Sequence, residues 1–503
     1  MSLAVAYSRA QSGINGLEVV VEVHLANGLP ALSIVGLPEL AVRESKDRVR
    51  GALLNSLFEF PARRITINLA PADLPKEGGR FDLAIAMGIL GASGQIPLEE
   101  LSRYEFLGEL ALSGALRPIS GVLPAALAAR SAGRALILPE ECAAEAALVE
   151  GLTILPARHL LDISQHLVQG SGLTPYQSAP ESAGSKSTPD LAEVKGQPHA
   201  KRALEIAAAG GHSLLMIGPP GSGKSMLASR LPGILPPMNE QEALETAAIA
   251  SISNQELNIG QWKRRPFRTP HHSASAAALV GGGSNPKPGE ISLAHNGVMF
   301  LDELPEFDRR VLEVLREPME NAEVTISRAA HQSVFPARFQ LITAMNPCPC
   351  GHLGDSHGKS CHCTGDQVKR YRGKISGPLL DRIDMHIEVP RQSLELITGR
   401  QAAREESSEE VRERVERARR RQMERSGCTN SALEGQSLES CCRVDDKGQQ
   451  LLHRAMYQLG LSARAYHRIL RLARTIADLK QREEIDTQHL SEAISYRRLD
   501  RKE

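Results

Sequence analysis

The stretch Leu214-Leu215-Met216-Ile217-Gly218-Pro219-Pro220-Gly221-Ser222-Gly223-Lys224-Ser225-Met226-Leu227-Ala228-Ser229-Arg230-Leu231 decides the fold. Its first four residues make a short buried strand, and Gly218 to Ser225 fit the pattern G-x-x-x-x-G-K-[ST]. Met226 to Leu231 can continue as a helix. The glycines let backbone N–H groups close around phosphates, and the N-terminus of the helix adds partial positive charge. Lys224 can reach the β- and γ-phosphates, and Ser225 can ligate Mg²⁺. The strand–loop–helix setting makes Gly218, Pro219, Pro220, Gly221, Ser222, Gly223, Lys224, Ser225 and Met226 the expected ATP-binding residues, with ATP and Mg²⁺ as the ligands.

Two further apolar runs extend the site. Val298-Met299-Phe300-Leu301 ends in Asp302-Glu303, and Gln340-Leu341-Ile342-Thr343-Ala344-Met345 ends in Asn346. The carboxyl ends of buried parallel strands are where open α/β sheets bind ligands. Asp302 can hold Mg²⁺ there, Glu303 can polarise an attacking water, and Asn346 can orient that water or simply cap a turn. Arg382 and Arg464 are two more catalytic candidates, although surface ion pairs are the usual fate of arginine.

The 503 residues suggest about three domains at roughly 150 residues each. Composition is that of a globular chain, with 42% hydrophobic and 23% charged residues. Lys plus Arg and Asp plus Glu are both 59, so no global basic field draws in nucleic acid or lipid. Aromatics at 3% argue against a single-strand binder built on base stacking. No apolar run of 18 residues and no basic-then-apolar leader is present, so a cytoplasmic protein with no membrane partner is expected.

Three blocks are visible along the chain. Residues 1–170 mix strand-like runs, such as Leu17 to Val23 and Arg64 to Leu69, with helix-like ones, Phe81 to Ala92 and Pro124 to Ala132. Residues 171–190 are rich in Gly, Ser and Pro and read as a linker. Residues 191–391 carry the nucleotide motifs, and 392–503 read as helical, with a charged helix over Arg404 to Arg425 and an amphipathic one over Ala463 to Leu479.

Between Glu256 and Glu290 there is no acidic residue, and the 33 intervening residues carry a formal +5 from Lys263, Arg264, Arg265, Arg268 and Lys287, with His271 and His272. Such a segment suits contact with DNA phosphates, which needs positive side chains and no base code; a solvated loop or subunit contact is the alternative. A second DNA candidate is the hairpin expected from Val324-Thr325-Ile326 and Val334-Phe335, with Arg328 and His331 near its turn. Cys348-x-Cys350 and Cys361-x-Cys363 offer four thiolates, the donor set of a closed structural Zn²⁺ site, against the alternative of free thiols in a loop.

These motifs together resemble the AAA+ family, in the branch of the magnesium-chelatase ATPase subunits, and within it the ComM/YifB family of bacterial competence-associated proteins. The resemblance covers essentially the whole chain. It is most specific at Val35-Gly36-Leu37-Pro38, Asn68 to Gly79, Phe267-Arg268-Thr269-Pro270-His271-His272 and Asn346-Pro347-Cys348-Pro349-Cys350-Gly351. It implies an AAA+ P-loop core with a helix-2 insert and presensor-1 hairpin, a C-terminal helical lid, and a homohexameric ring with active sites between subunits. Asn346 then matches sensor 1, Arg382 the arginine finger given to a neighbour, and Arg464 the sensor 2 arginine; a finger in trans contributes roughly 10³ to 10⁵ in rate. The implied activity is ATP-driven branch migration of DNA, single-stranded and branched, during natural transformation. The alternative is a chelatase-type motor that remodels a protein partner.

The N-terminal block resembles the proteolytic domain of Lon-type proteases, from Gly108-Glu109-Leu110 to Pro139-Glu140-Glu141. The catalytic pair does not carry over. Arg80 follows Glu77-Gly78-Gly79 where those proteases have their Ser, and Leu123 follows Pro118-Ile119-Ser120-Gly121-Val122 where they have their Lys. With neither nucleophile nor base, acyl transfer has no players.

Overall fold

The computed structural model describes residues 2–177, 189–253, 259–283, 286–327, 332–355, 359–392 and 404–497. The chain forms two compact units, Met1–Gly184 with Glu240–Trp262, and Ser185–Asn239 with Lys263–Glu503.

The first unit is built on a seven-stranded mixed sheet. Its strands are β1 (Ser2–Ser12), β2 (Asn15–Ala26), β3 (Ala31–Val35), β4 (Arg64–Ala70), β5 (Tyr104–Phe106), β6 (Ala135–Pro139) and β7 (Ile154–Ala157), in the order β3-β4-β2-β1-β5-β6-β7. Alternation in β2 sends Val19, Val21, Val23 and Leu25 into the core. The helix Asp82–Ala92 is apolar on every side and is buried along its whole length, against β1 and β2.

The insert Glu240–Trp262 belongs to this unit, although in sequence it falls inside the 191–391 nucleotide block. The reason is a matched apolar face. Leu244, Ala247 and Ala248 of the helix Glu240–Ile252 share one core with Val122, Leu123, Ala125 and Ala126 of the helix Val122–Ala132. The spacing i, i+3, i+4 puts the three on one stripe. Gly121 N–H donates to Ser251 O at 3.2 Å.

In the second unit, beside the two-residue pair Gly281–Gly282 and Lys287–Pro288, the strands are β8 (Leu214–Ile217), β9 (Phe267–Arg268), β10 (Val298–Leu301), the hairpin β11 (Glu323–Ser327) and β12 (Gln332–Pro336), β13 (Gln340–Met345) and β14 (Met385–Glu388). Five of them form a parallel sheet in the order β9-β10-β13-β8-β14. Ile217 lies opposite both Met345 and Glu388, and Leu301 opposite Thr343, so the carboxyl ends of the strands share one edge. β8 and β10 read as unbroken apolar runs because both faces are covered.

The C-terminal part is helical, with Ser408–Ser426, Asp446–Leu459, Ala463–Leu479 and Thr487–Ser495 the four longest helices among its described residues. It shares its core with the sheet: Val411, Val415, Ile469 and Ile476 join Leu214, Met216 and Ile342. The helix Ser408–Ser426 is therefore more than a solvated charged rod. Ser407 and Glu410 close a capping box at its start, and Arg414 pairs with Glu205 at 2.6 Å. Among the described residues, no helix is long and apolar enough to cross a membrane.

Candidate nucleotide site, basic segment and cysteine cluster

The loop after β8 is shaped by backbone geometry that side chains would obstruct. A Cβ at Gly218 would meet Val389 O at 2.1 Å, and Gly223 has φ 89°, a left-handed conformation that favours glycine. Gln197 Nε2 donates to Ser222 O at 2.7 Å and braces the loop from outside, a contact no motif announced. Lys224 opens the helix Lys224–Ile234 and is buried. Its Nζ donates to Gly218 O at 2.8 Å and Pro219 O at 3.1 Å, and lies 3.4 Å from Asn346 Oδ1. Burial lowers its pKa, and the charges of Asp302 and Glu303 oppose that.

Because β8, β13 and β10 run parallel, with β13 between the other two, Asp302 and Asn346 arrive at the same edge as Ser225. Ser225 Oγ donates to Asp302 Oδ2 at 2.5 Å, and Glu303 N–H donates to Asp302 Oδ1 at 2.9 Å. A hydroxyl and a carboxylate converging beside a phosphate loop form the hard-oxygen donor set that Mg²⁺ takes, so the residues present fit that ion. Glu303 has φ 53°, and its Oε2 lies 3.4 Å from His272 Nδ1. A cavity of about 1040 Å³ opens beside Gly218 and Pro219, with His199, Ile217, Val389 and Pro390 in its wall. Met226 is half-exposed in the first turn of the helix.

The two arginines stand apart from this cluster. Arg382 is buried: it donates to Glu320 through one terminal nitrogen and to Pro378 O at 2.7 Å through the other. Arg464 is 63% exposed and meets Asp381 at 3.7 Å. Among the described residues, neither bonds to the phosphate loop. One helical turn beyond Arg464, Arg468 donates to Arg382 O and to Asp384 Oδ1, each at 2.6 Å, and so holds the segment before β14.

The basic segment divides in the structure. Arg265 donates to Pro236 O at 2.8 Å and Asn296 O at 2.7 Å, so its guanidinium ties backbone together. Arg268 makes a two-pronged pair with Glu290, at 2.7 and 2.8 Å, and its charge is compensated. Glu290 closes the acid-free window in sequence, and it folds back onto Arg268 within that window. Lys263, Arg264, His271 and Lys287 are exposed, and His272 is half-buried beside Glu303. Arg328 and His331 lie outside the described residues.

The cysteines do converge. The Sγ atoms of Cys348, Cys350, Cys361 and Cys363 all lie within 4.8 Å of one another, with separations of 3.4, 3.6 and 3.7 Å among the first three. Tetrahedral Zn²⁺ with Zn–S of about 2.3 Å places sulfurs roughly 3.8 Å apart, so the cage fits that ion. Backbone N–H groups of His352 and His362 pull the Cys350 thiol down to about 6. The cluster abuts the phosphate loop: a Cβ at Gly351 would meet Pro220 Cδ at 2.8 Å.

In the first unit, Arg80 is buried, and burial pushes its guanidinium down to about 10. It donates to Ser120 O at 2.5 Å and to Arg9 O at 3.4 Å, linking the two segments singled out above for their missing Ser and Lys.

Three family models match the chain: magnesium chelatase, subunit ChlI, over residues 190–397; subunit ChlI of Mg-chelatase over 21–142; and the subunit ChlI C-terminal model over 405–497. The chain belongs to the magnesium-chelatase-like AAA+ ATPases. It is 54% identical over 505 residues to the competence protein ComM of Haemophilus influenzae, covering 99% of this chain and 98% of the relative. It is 50% identical over 501 residues to the uncharacterized protein YifB of Salmonella typhimurium, covering 100% and 98%. Within that class it is a member of the ComM/YifB family. A shorter likeness, 28% over 144 residues and 25% of each chain, is to Lon protease 2 of Bacillus subtilis.

Proposed function

We propose that this protein is an ATP-driven DNA motor, a branch-migration helicase that works as a hexameric ring and promotes integration of single-stranded DNA during natural transformation. The observation that carries the reading is the convergence of Lys224, Ser225, Asp302, Glu303 and Asn346 on one edge of a parallel sheet, in a chain of this family. Lys224 would leave the loop carbonyls for the β- and γ-phosphates, and Glu303 would polarise the attacking water while Asn346 orients it. Ser225 and Asp302 would hold Mg²⁺, which neutralises phosphate charge when bound. Arg382 from a neighbouring copy would supply the finger, after leaving Glu320. Arg464 would act as sensor 2. Zn²⁺ on the four cysteines would fix the loop behind Asn346.

The first unit is read as a Lon-like fold reused for assembly or DNA contact. The buried Arg80 at the place of the nucleophile supports that, and so does the partial likeness to Lon protease 2. The compensated Arg268 and the tied Arg265 favour a second reading, a chelatase-type motor acting on a protein partner. Purified protein with ATP and a labelled branched-DNA substrate separates the two. Strand exchange at the branch, with ATP turnover stimulated by DNA and falling steeply with salt, supports the first. Turnover indifferent to DNA excludes it.

A further inference from the structure

Arg382 sits in the connection 381–384 between the helical turn Gly377–Leu380 and β14. Its carbonyl oxygen is held twice: Arg468 Nη1 donates to it at 2.6 Å, and Ser213 Oγ donates at 3.2 Å. The same Arg468 nitrogen donates to Asp384 Oδ1 at 2.6 Å. Asp384 Oδ2 accepts from Ser213 N–H at 3.1 Å, and Asp384 N–H donates to Ser213 Oγ at 2.9 Å. Ser213 stands just before β8, and Arg468 lies in the helix Ala463–Leu479, so the connection is slung between the sheet and the C-terminal helices.

The start of that helix grips the connection a second time. Ser462, its N-cap, donates to Asp381 Oδ1 at 3.3 Å, and Arg464 meets Asp381 Oδ2 at 3.7 Å. Arg464 is 63% exposed and Arg468 only 15%, so solvent screens the first contact far more than the second. The Arg382 guanidinium is less settled than its backbone. Its terminal nitrogens donate to Glu320 and Pro378 O, but its buried Nε has no hydrogen-bond partner among the described residues. A buried donor without a bond is costly, so this resting place satisfies the side chain only in part. A fixed backbone under an incompletely satisfied side chain suits a group that is delivered elsewhere.

We propose that Arg468 is the positioning residue of the arginine finger. By tying the Arg382 carbonyl and the Asp384 carboxylate to the helix Ala463–Leu479, it sets the point from which Arg382 reaches a neighbouring copy's γ-phosphate. Arg468 acts through Arg382 and is not itself a nucleotide ligand. This rests on the reading of Arg382 as a finger given in trans.

The test is a double-mutant cycle on the full chain, read by phosphate release at saturating ATP, with binding of a fluorescent ATP analogue as control. Arg382→Ala should cut kcat by roughly 10³- to 10⁵-fold. Arg468→Ala should cut it by about 10- to 100-fold, the cost of misplacing a reacting group by about 1 Å, with nucleotide affinity level. In the Arg382→Ala background the same change should cost nothing further, because no finger is left to aim. Equal losses in both backgrounds mark a merely structural role and overturn the proposal, as does an unchanged kcat in Arg468→Ala. Arg468→Lys keeps a cation opposite Asp384 and should recover part of the loss. Arg468→Gln takes the place of the Ala variant in the cycle if circular dichroism shows that one unfolded. Mixed rings supply the readout in trans. Glu303→Gln subunits keep the finger and Arg468→Ala subunits keep the pocket, so rings reconstituted from both should regain turnover that neither has alone. If Arg382→Ala subunits regain none with Glu303→Gln, the finger reading falls and the proposal with it. If they succeed where Arg468→Ala subunits fail, the finger stands and Arg468 alone is removed.

Discussion

Replacing Cys350 by Ser should cost the protein its zinc and, through it, most of its ATP turnover. The sulfur separations of 3.4 to 3.7 Å sit close to the roughly 3.8 Å of a tetrahedral Zn–thiolate cage, so one ion per chain is expected. Structural zinc binds with about 10–16 kcal/mol in small finger peptides, and a hydroxyl is a poor substitute for one thiolate in four. The consequence for chemistry follows from where the cage is anchored. Cys348 is two residues beyond Asn346, Arg372 Nε donates to Pro347 O at 3.3 Å, and Gly351 packs on Pro220 of the phosphate loop. A shift of about 1 Å at a positioning group can cost up to ~100-fold in rate. We expect kcat to fall by about 10- to 100-fold with a smaller change in nucleotide affinity. Elemental analysis by mass spectrometry and steady-state phosphate release read the two quantities, with Cys428→Ser as a control that changes neither. Wild-type protein purified without chelator and free of zinc refutes the cage. A Cys350→Ser protein that loses zinc but keeps its turnover refutes the coupling to Asn346.

Lys224→Ala should reduce ATP binding or turnover to background, because charge-assisted bonds to phosphate of about 1.5–3 kcal/mol each are lost; nucleotide titration and phosphate release check it. Glu303→Gln should bind ATP and fail to hydrolyse it, and normal turnover would show that another group polarises the water. Lys263→Ala with Lys287→Ala should weaken DNA binding and flatten its salt dependence by about 0.9 per lost phosphate contact in a log–log plot, while Arg268→Ala, which breaks the pair with Glu290, should lower thermal stability more than DNA affinity. Asp384→Asn should destabilise the protein by about 3–5 kcal/mol in denaturant titration, since it removes the buried carboxylate that Arg468 meets at 2.6 Å. Burial works against the Asp384 carboxylate, but the His212 hydrogen bond and the Arg468 charge outweigh it and hold its pKa below the usual range. Its contribution is therefore complete at neutral pH and fades only on acidification below about pH 4, where the gap between the two proteins should narrow.

Much of the second unit was legible because its signals are local. Gly218 to Ser225 between an apolar strand and a helix, Asp302-Glu303 after Val298–Leu301, and Asn346 after β13 are each readable within about ten residues. The helix Ala463–Leu479 was visible from its amphipathic period, and its observed bounds are the same. Less legible was the destination of Glu240–Trp262, because an apolar stripe at helical spacing does not say which apolar face it will meet. Charge counts misled in the basic segment for a related reason. A sum over 33 residues cannot register that Glu290, just past its end, folds back to neutralise Arg268. Nor could the motif at Arg382 show that it pairs with Glu320, 62 residues away.

From the sequence alone came the chemistry on offer: which side chains can cradle phosphate, hold a divalent cation or bind a soft metal, since residue type and short spacing carry that information. Tertiary structure decided which of them act together. Parallel register brings Ser225, Asp302 and Asn346 to one edge, four cysteines fold into one cage behind them, and His272 lands against Glu303. These are meetings between residues up to 122 positions apart, as for Lys224 and Asn346. Only the packing of strands and helices around a common core sets such distances, because no local conformational preference reaches that far.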